Sequence, residues 1–360
     1  MLSKIIVLIV ILLCAFIFAS YPPLINTSPK AWQLFLIFFS TILAILFNLM
    51  PITAASVLAL SIAVLSGLID PKIAYSGFSE SFILLIVAAF LVSHAVHKSG
   101  LGKRIALHMI RKFGKSTLGI SYSLIATDIL ISPAFPSNTA RSGILYPIVY
   151  DLAHNCDSKI ADGTRHNAGS FLMLSSMAGL TISSGFWLTA MAVNPLGVSI
   201  AHSMGISITF TSWLAMSFLP SLFAFIFIPL ILYKFFPPLL KETPQAPIRA
   251  NEALQKMGNI KKNEWITASV FLGMLILWSL SSLFPYIDKT AVAFGGLGVL
   301  MITKVFTVED FRSQGEALNT LIWFAILFVL STELAKLGFM DSLTHYFLNY
   351  LNGFHWISVY

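Results

Sequence analysis

Apolar runs of roughly membrane-spanning length recur along this chain, separated by short polar segments. A helix needs about 20 apolar residues to cross the hydrocarbon core of a bilayer, so the pattern predicts an all-α polytopic membrane protein. The predicted spans are residues 5–20, 31–50, 52–68, 82–97, 168–200, 208–236, 265–284, 289–305 and 320–338.

One further apolar stretch, residues 118–153, is interrupted at its centre by Pro133, Pro136 and the polar residues 137–139. Backbone that leaves the helix at membrane depth exposes N–H and C=O groups, each costing several kcal/mol in hydrocarbon. Such a break is tolerated where it is buried in protein or lines a wet cavity, often a substrate or ion site. We therefore predict a re-entrant hairpin over 118–153, with its tip at mid-membrane.

Composition supports the membrane class and limits the partners. Of the 360 residues, 57% are hydrophobic and only 10% are charged, whereas soluble domains carry about 25% charged residues. The net charge of +7 comes from basic residues in the connections between spans. This is the pattern of cytoplasmic loops in a lipid membrane and gives no support for nucleic-acid binding. The two richest connections contain Lys98, Lys103, Arg104, Arg111, Lys112 and Lys115, and then Lys241, Arg249, Lys256, Lys261 and Lys262.

Motifs for enzymatic or metal chemistry are not found in the sequence. Cys14 and Cys156 form neither a disulfide framework nor a zinc spacing. No serine elbow, zinc triad or nucleotide loop supports a membrane-embedded enzyme, which is kept only as a remote alternative. No cofactor is predicted, and Na⁺ is the one candidate coupling ion.

The first residues allow two interpretations. Lys4 is followed by the apolar run 5–19, as in a signal peptide or in a first membrane helix. No small-x-small cleavage site follows, which favours an uncleaved N-terminal transmembrane helix within residues 1–30.

An internal repeat is indicated by two segments, 82–115 and 320–353, that align without a gap at a spacing of 238 residues and pair Gly100 with Gly338. The first copy is followed by a basic connection and the second is not, so the copies are predicted to cross the membrane in opposite directions. Inverted repeats are typical of secondary transporters, with the substrate site at the repeat interface. The alternative is two ordinary apolar helices with similar ends.

The repeat divides the chain into four predicted segments. These are the N-terminal helix 1–30, a first inverted repeat 31–236 that contains the hairpin, a cytoplasmic loop 237–263 and an incomplete second repeat 264–360. The counterpart of the hairpin tip is expected near position 375, about 238 residues after Ser137. We therefore expect a second hairpin to be missing from these 360 residues.

Ser137, Asn138 and Thr139 form the predicted hairpin tip. Residues of these types after a proline commonly cap a helix, here one predicted from Ala140. A helix N-terminus carries free N–H groups and about half a positive charge, which suits a carboxylate or phosphate. The Asn138 oxygen and unwound carbonyls could also hold Na⁺.

A second polar stretch runs from Thr181 through Ser183, Ser184 and Gly185 towards Asn194. We predict an unwound segment here whose carbonyls complete a cation site opposite the tip. The alternative is a packing face of small residues, which lets helices approach closely. Thr189 and Asn194 are predicted as secondary contributors to the site.

Asp128 and Arg141 are ionisable residues inside the hairpin, where an isolated charge is expensive. They are predicted to pair across its two arms and fix its shape. The alternative stays open that Arg141 faces the substrate while Asp128 takes up a proton or Na⁺.

The residues 136–148, Pro-Ser-Asn-Thr-Ala-Arg-Ser-Gly-Ile-Leu-Tyr-Pro-Ile, resemble the hairpin motif of the divalent anion:sodium symporter family. Residues 126–128, residues 188–195 and the loop at 241–247 and 256–258 are also similar to its citrate/succinate and 2-oxoglutarate/malate antiporter branch. The resemblance covers essentially the whole chain.

The resemblance implies eleven spans, two opposed re-entrant hairpins and a homodimer that works by an elevator-type shift. It assigns Ser137, Asn138 and Thr139 to the substrate carboxylate and in part to a first Na⁺. Its second Ser-Asn-Thr-like tip has no counterpart in these 360 residues.

The predicted function is secondary transport of di- or tricarboxylates, such as malate, 2-oxoglutarate, succinate or citrate, by anion exchange or Na⁺ coupling. The alternative is a truncated, transport-inactive remnant or one piece of a split carrier. A bacterial inner membrane is the predicted location.

Overall fold

The computed structural model describes Ile17 and residues 27–284 and 286–351, and the span predicted at 5–20 lies outside this part except for Ile17. Apart from one isolated antiparallel bridge between Ser116 and Glu242, the regular elements of the described residues are helices. The helices are α1 Pro29–Leu46, α2 Ile52–Leu65, α3 Pro71–Ala74, α4 Ser81–Ser99, α5 Leu101–Phe113, α6 Thr117–Ile131, α7 Asn138–Asn155 and α8 Gly169–Phe186. They continue with α9 Val193–Ser203, α10 Phe210–Phe235, α11 Gln245–Met257, α12 Lys262–Leu280, α13 Lys289–Ile302, α14 Val308–Ser313, α15 Gly315–Lys336 and α16 Phe339–Leu351.

Six of the described helical segments are long and apolar enough to cross a membrane. They are Pro29–Leu46, Ser81–Ser99, Thr117–Ala134, Phe210–Phe235, Lys262–Leu280 and Gly315–Lys336, and Ile52–Leu65 and Lys289–Ile302 are shorter apolar helices. The predicted all-α polytopic membrane class is confirmed. The span predicted over 168–200 is instead two helices, α8 and α9, separated by residues 187–192.

The described helices belong to two compact units, Met1–Leu84 with Gly315–Tyr360, and Leu85–Gln314. In the first unit the core includes Trp32, Leu34, Leu330 and Phe339. A glycine is required at Gly77, because a Cβ there would lie 2.4 Å from the Ala325 carbonyl oxygen. The four segments predicted from the repeat stay predictions. The two compact units are defined by spatial contacts and not by sequence repetition, so their boundaries do not test the repeat.

The second unit contains the predicted hairpin, and its core joins α5, α6, α7, α8 and α11 through residues such as Ile110, Leu124, Val149, Phe171 and Leu254. The predicted loop 237–263 thus contains a helix, α11, whose apolar side chains pack on this core. Helices α6 and α8 approach each other closely because one of the contacting residues is a glycine. A Cβ on Gly179 of α8 would lie 2.8 Å from Ile125 of α6.

A backbone strap joins the bases of α6 and α8, at the end opposite the hairpin tip. Thr117 N–H donates to the Lys241 carbonyl at 3.0 Å, and Thr243 N–H donates to the Lys115 carbonyl at 2.9 Å. Leu239 and Leu240 donate to the carbonyls that precede α8. The chain after α10 therefore fixes both helices at their N-terminal ends.

The two predicted repeat segments share one local feature, a left-handed glycine between two helices. Gly100, with φ +83°, follows α4, and Gly338, with φ +73°, follows α15. The helices after these glycines, Leu101–Phe113 and Phe339–Leu351, have 13 residues each. These matches at one spacing support the repeat, and the opposite membrane orientation stays a prediction.

Candidate functional site

The hairpin breaks where its prolines remove backbone donors. In a continuous helix the Ile129 carbonyl would accept from residue 133, but Pro133 has no N–H. The Trp187 indole donates to this carbonyl at 2.9 Å and the Ser132 hydroxyl at 3.1 Å. A short 3₁₀ turn, Ser132–Ala134, follows α6. The predicted helix–break–helix pattern is present, with arms Thr117–Ile131 and Asn138–Asn155. The re-entrant course through the membrane stays a prediction.

The second break, at residues 187–192, lies against the first. Thr189 donates its hydroxyl to the Pro133 carbonyl at 2.8 Å, and Ala192 N–H donates to the Pro136 carbonyl at 3.0 Å. Buried backbone polar groups need such partners. The second break therefore donates hydrogen bonds to carbonyls of the first, and the two breaks form one unit.

Arg141 lies at the centre of this unit with its side chain fully buried. Its Nη2 donates to Asn138 Oδ1 at 2.6 Å, to Ser184 Oγ at 2.9 Å and to the Leu180 carbonyl at 3.1 Å. Its Nη1 donates to the Ala190 carbonyl at 3.1 Å. One guanidinium thus ties α7 to the end of α8 and to the segment after it.

Asp128 supplies the balancing charge from α6. Its Oδ1 lies 3.3 Å from Arg141 Nε, and only 1% of its side chain is exposed. Its other oxygen accepts from the Ser183 hydroxyl. This geometry favours the pair across the hairpin arms over the alternative in which Arg141 faces the substrate.

The tip itself is a capped helix N-terminus with free donors. Ser137 is the N-cap of α7 and accepts from Ala140 N–H at 3.3 Å. The helix therefore begins at Asn138, two residues before the predicted start. Thr139 is exposed and Asn138 half-buried. Among the described residues, neither the Asn138 Nδ2 group nor the Thr139 hydroxyl takes part in a hydrogen bond.

The unwound segment predicted between Thr181 and Asn194 is present at residues 187–192. Its predicted start at Thr181, Ser183, Ser184 and Gly185 is wrong, because α8 continues helically to Phe186. The carbonyls at the end of α8 have protein partners. Ser184 accepts from Asn194 Nδ2 at 2.8 Å, and Gly185 accepts from Trp213 Nε1 at 3.0 Å. These donors cap the helix end in place of water, so the local unwinding begins only after Phe186.

The predicted site residues therefore have different environments. Asn138, Arg141, Ser183 and Ser184 belong to one hydrogen-bonded cluster with Asp128. The buried side chains of Thr189 and Asn194 hold backbone carbonyls of the two breaks. At the tip, by contrast, the Asn138 Nδ2 group and the exposed Thr139 side chain are polar groups that bond no other described residue.

Two tryptophans of this unit, Trp187 and Trp213, were missed by the sequence reasoning. Both donate an indole N–H to an orphan carbonyl. The only available signal was that a buried indole N–H needs an acceptor, which does not identify the partner.

A family model described as the sodium:sulfate symporter transmembrane region matches residues 2–360. The chain belongs to this family. The resemblance inferred from residues 136–148 is confirmed, and the protein is a multi-pass integral membrane protein of a transporter family. The prediction of a transporter rather than an enzyme is likewise confirmed by the family.

Three relatives illustrate the range of this symporter family. The chain is 41% identical over 334 residues to the putative malate transporter YflS of Bacillus subtilis, covering 92% of this chain and 70% of that protein. It is 37% identical to the chloroplastic dicarboxylate transporter 1 of Arabidopsis thaliana, over 90% of this chain and 58% of the relative. It is 33% identical to the L-tartrate/succinate antiporter of Escherichia coli, over 74% and 55%. The chain therefore spans only part of each relative's length.

Proposed function

We propose that this protein moves dicarboxylate anions across the membrane and that residues 137–139 bind one carboxylate. The observation that carries the proposal is the free donor set at the start of an 18-residue helix. Among the described residues, the Asn138 Nδ2 group and the Thr139 hydroxyl take part in no hydrogen bond. Neutral donors beside a helix N-terminus favour an anion without holding it irreversibly.

The relatives support dicarboxylates over tricarboxylates. Their names specify malate, dicarboxylates, and L-tartrate with succinate. Each of these anions carries two carboxylates on a short carbon chain. We therefore propose four-carbon dicarboxylates as the main substrates, with 2-oxoglutarate next and citrate last. The homodimer stays a prediction.

We further propose exchange that does not require Na⁺. Asn138 and Ser184 were predicted as cation ligands, but in this structure their side-chain oxygens bind the Arg141 guanidinium. Carbonyl, hydroxyl and amide oxygens are the ligands that Na⁺ would use. A fixed positive charge within 3 Å would repel a second cation at these oxygens. Na⁺ would therefore have to compete with the Arg141 guanidinium for these oxygens.

The test is counterflow of labelled malate, succinate, 2-oxoglutarate and citrate in proteoliposomes that contain the 360-residue chain. Preloaded malate is expected to drive uptake of labelled malate and of labelled succinate. For each anion, the rate in Na⁺ buffer should equal the rate in choline buffer. Protein-free liposomes give the background. Uptake only in Na⁺ would overturn the exchange proposal, and uptake of none of the four anions would overturn dicarboxylate transport by this chain.

A further inference from the structure

The second hairpin arm, α7, has two contrasting faces. One face packs in the protein through Ile144, Leu145, Ile148, Val149, Leu152 and Ala153. The exposed residues on the other face are Thr139, Gly143, Tyr146, Pro147, Tyr150, Asp151 and His154. We call the six of these other than Pro147 the α7 polar face. It begins at the binding tip and ends at the hairpin base.

A lipid-facing helix in the same chain looks different. Helix α10 exposes Met216, Leu219, Phe223, Phe227, Leu230 and Ile231. Both α10 and the segment Thr117–Ala134, which is α6 with the short turn after it, are apolar enough to count as candidate spans. Helix α7 has 18 residues, as many as Thr117–Ala134, but is not among the candidates in the described chain. Its exposed hydroxyls, imidazole and carboxylate would be costly in hydrocarbon.

The two tyrosines give the α7 polar face its chemistry. Tyr146 and Tyr150 are 55% and 53% exposed, with ring centroids 6.1 Å apart. The Tyr150 ring stacks in turn on His154 at 6.3 Å. Neither tyrosine hydroxyl has a hydrogen-bond partner among the described residues. A row of neutral O–H donors attracts a carboxylate weakly enough for it to move along.

We propose that the α7 polar face lines a water-filled route along which the anion passes between the tip and the hairpin base, with Tyr146 and Tyr150 as positioning residues. The water-lined face is inferred from the polar character of the exposed side chains on α7, in contrast to the apolar ones on α10. The identity of the anion rests on the proposed function. The experiment must therefore separate wetting of the helix from binding at its tip.

Cysteine accessibility in membrane vesicles makes this separation. Single cysteines are placed by Tyr146→Cys, Tyr150→Cys and Gly143→Cys in a background with Cys14→Ser and Cys156→Ser. Phe223→Cys on α10 is the lipid-facing control, since Phe223 is 56% exposed. Val149→Cys is the buried control on the same helix. A charged, membrane-impermeant methanethiosulfonate is added to vesicles of each orientation, and labelling after denaturation measures the total cysteine.

The three α7 positions are expected to react at least about tenfold faster than both controls, because the reactive thiolate forms in water. Reaction at control rates from both sides would overturn the route. Excess succinate is expected to slow the reaction at Gly143→Cys, which lies nearest the tip. Fast reaction without succinate protection would support the wet route and count against succinate binding at the tip.

Discussion

At the scale of single residues, Arg141 decides the shape of the site. A guanidinium offers five N–H donors in a planar fork, whereas a lysine ammonium is a point charge. Here the fork reaches Asn138, Ser184 and two backbone carbonyls while its Nε faces Asp128. The sequence predicted the Asp128–Arg141 pair, because two opposite charges in one hairpin need each other. It did not predict the carbonyl partners, since any backbone group can accept.

Arg141→Gln is expected to destabilise the protein by about 3–5 kcal/mol, because it leaves Asp128 buried without its partner. The double variant Asp128→Asn/Arg141→Gln should recover part of this loss. The measurement is thermal unfolding in detergent together with folded yield. Arg312→Gln is the control, since Arg312 pairs with Glu309 on the surface and both are mostly exposed. Unchanged melting with lost malate affinity would instead assign Arg141 to the substrate.

Asp310 of α14 is a half-buried charge that the sequence did not single out. Burial alone would raise the pKa of its carboxyl, but hydrogen bonds from Lys98 and Thr307 lower the pKa well below the ordinary value. Lys98 Nζ lies 2.6 Å from Asp310 Oδ2. Because the pKa is lowered in the folded protein, the ionised Asp310 carboxylate stabilises the fold at pH values above its unfolded-state pKa of about 4. This stabilisation decreases as the pH falls from there towards the folded-state pKa.

Asp310→Asn is therefore expected to lower the melting temperature at pH 7, with a smaller difference from the parent at pH 3.5. Thermal unfolding in detergent at pH 7, 5 and 3.5 measures this. Asp288→Asn is a control, because that side chain caps α13 through Ala291 N–H and is exposed. If the difference in melting temperature between Asp310→Asn and the parent stayed constant from pH 7 to pH 3.5, the ionised Asp310 carboxylate would not be the stabilising group.

At the scale of elements, the hairpin was largely predictable, whereas the unwound segment predicted between Thr181 and Asn194 was right in kind and wrong in position, since the break is confined to residues 187–192. Pro133 and Pro136 remove donors at fixed positions, so the break and both arms of 118–153 could be predicted from sequence. The small residues from Thr181 to Gly185 indicated unwinding, yet the α8 end stays helical because Asn194 and Trp213 cap its carbonyls. Asn194 and Trp213 lie outside the stretch from Thr181 to Gly185, so the local sequence pattern does not reveal them.

Thr189→Val removes the hydroxyl that joins the two breaks and leaves the buried Pro133 carbonyl without this partner. The expected cost is about 1–3 kcal/mol. Hydrogen–deuterium exchange should also quicken around residues 134–140. Thr181→Val is the matched control on α8, since the exposed Thr181 bonds only the Met177 carbonyl of its own helix. Equal exchange in both variants would show that the breaks are held by other contacts.

At the scale of the whole molecule, composition and apolar periodicity were sufficient for the membrane class, because hydrocarbon permits few backbone solutions. The 238-residue spacing was also informative, since it pairs Gly100 with Gly338 and two 13-residue helices. The boundaries of whole helices were less predictable. Residues 168–200 form one apolar pattern but two helices. The chain leaves α8 where the Trp187 and Thr189 side chains donate hydrogen bonds to carbonyls of the hairpin.

The central claim is that the donors at the tip bind a carboxylate, and binding of labelled malate to the purified protein tests it most directly. Asn138→Asp keeps an oxygen for Arg141 and Ser184 but replaces the free Nδ2 donor with a negative oxygen. Asn155→Asp is the matched control at the opposite end of the same 18-residue helix. The account predicts that Asn138→Asp weakens malate binding at least about tenfold, because the new carboxylate repels the anion, and that Asn155→Asp leaves malate binding unchanged. Equal malate affinity in the two variants, both folded, would contradict it.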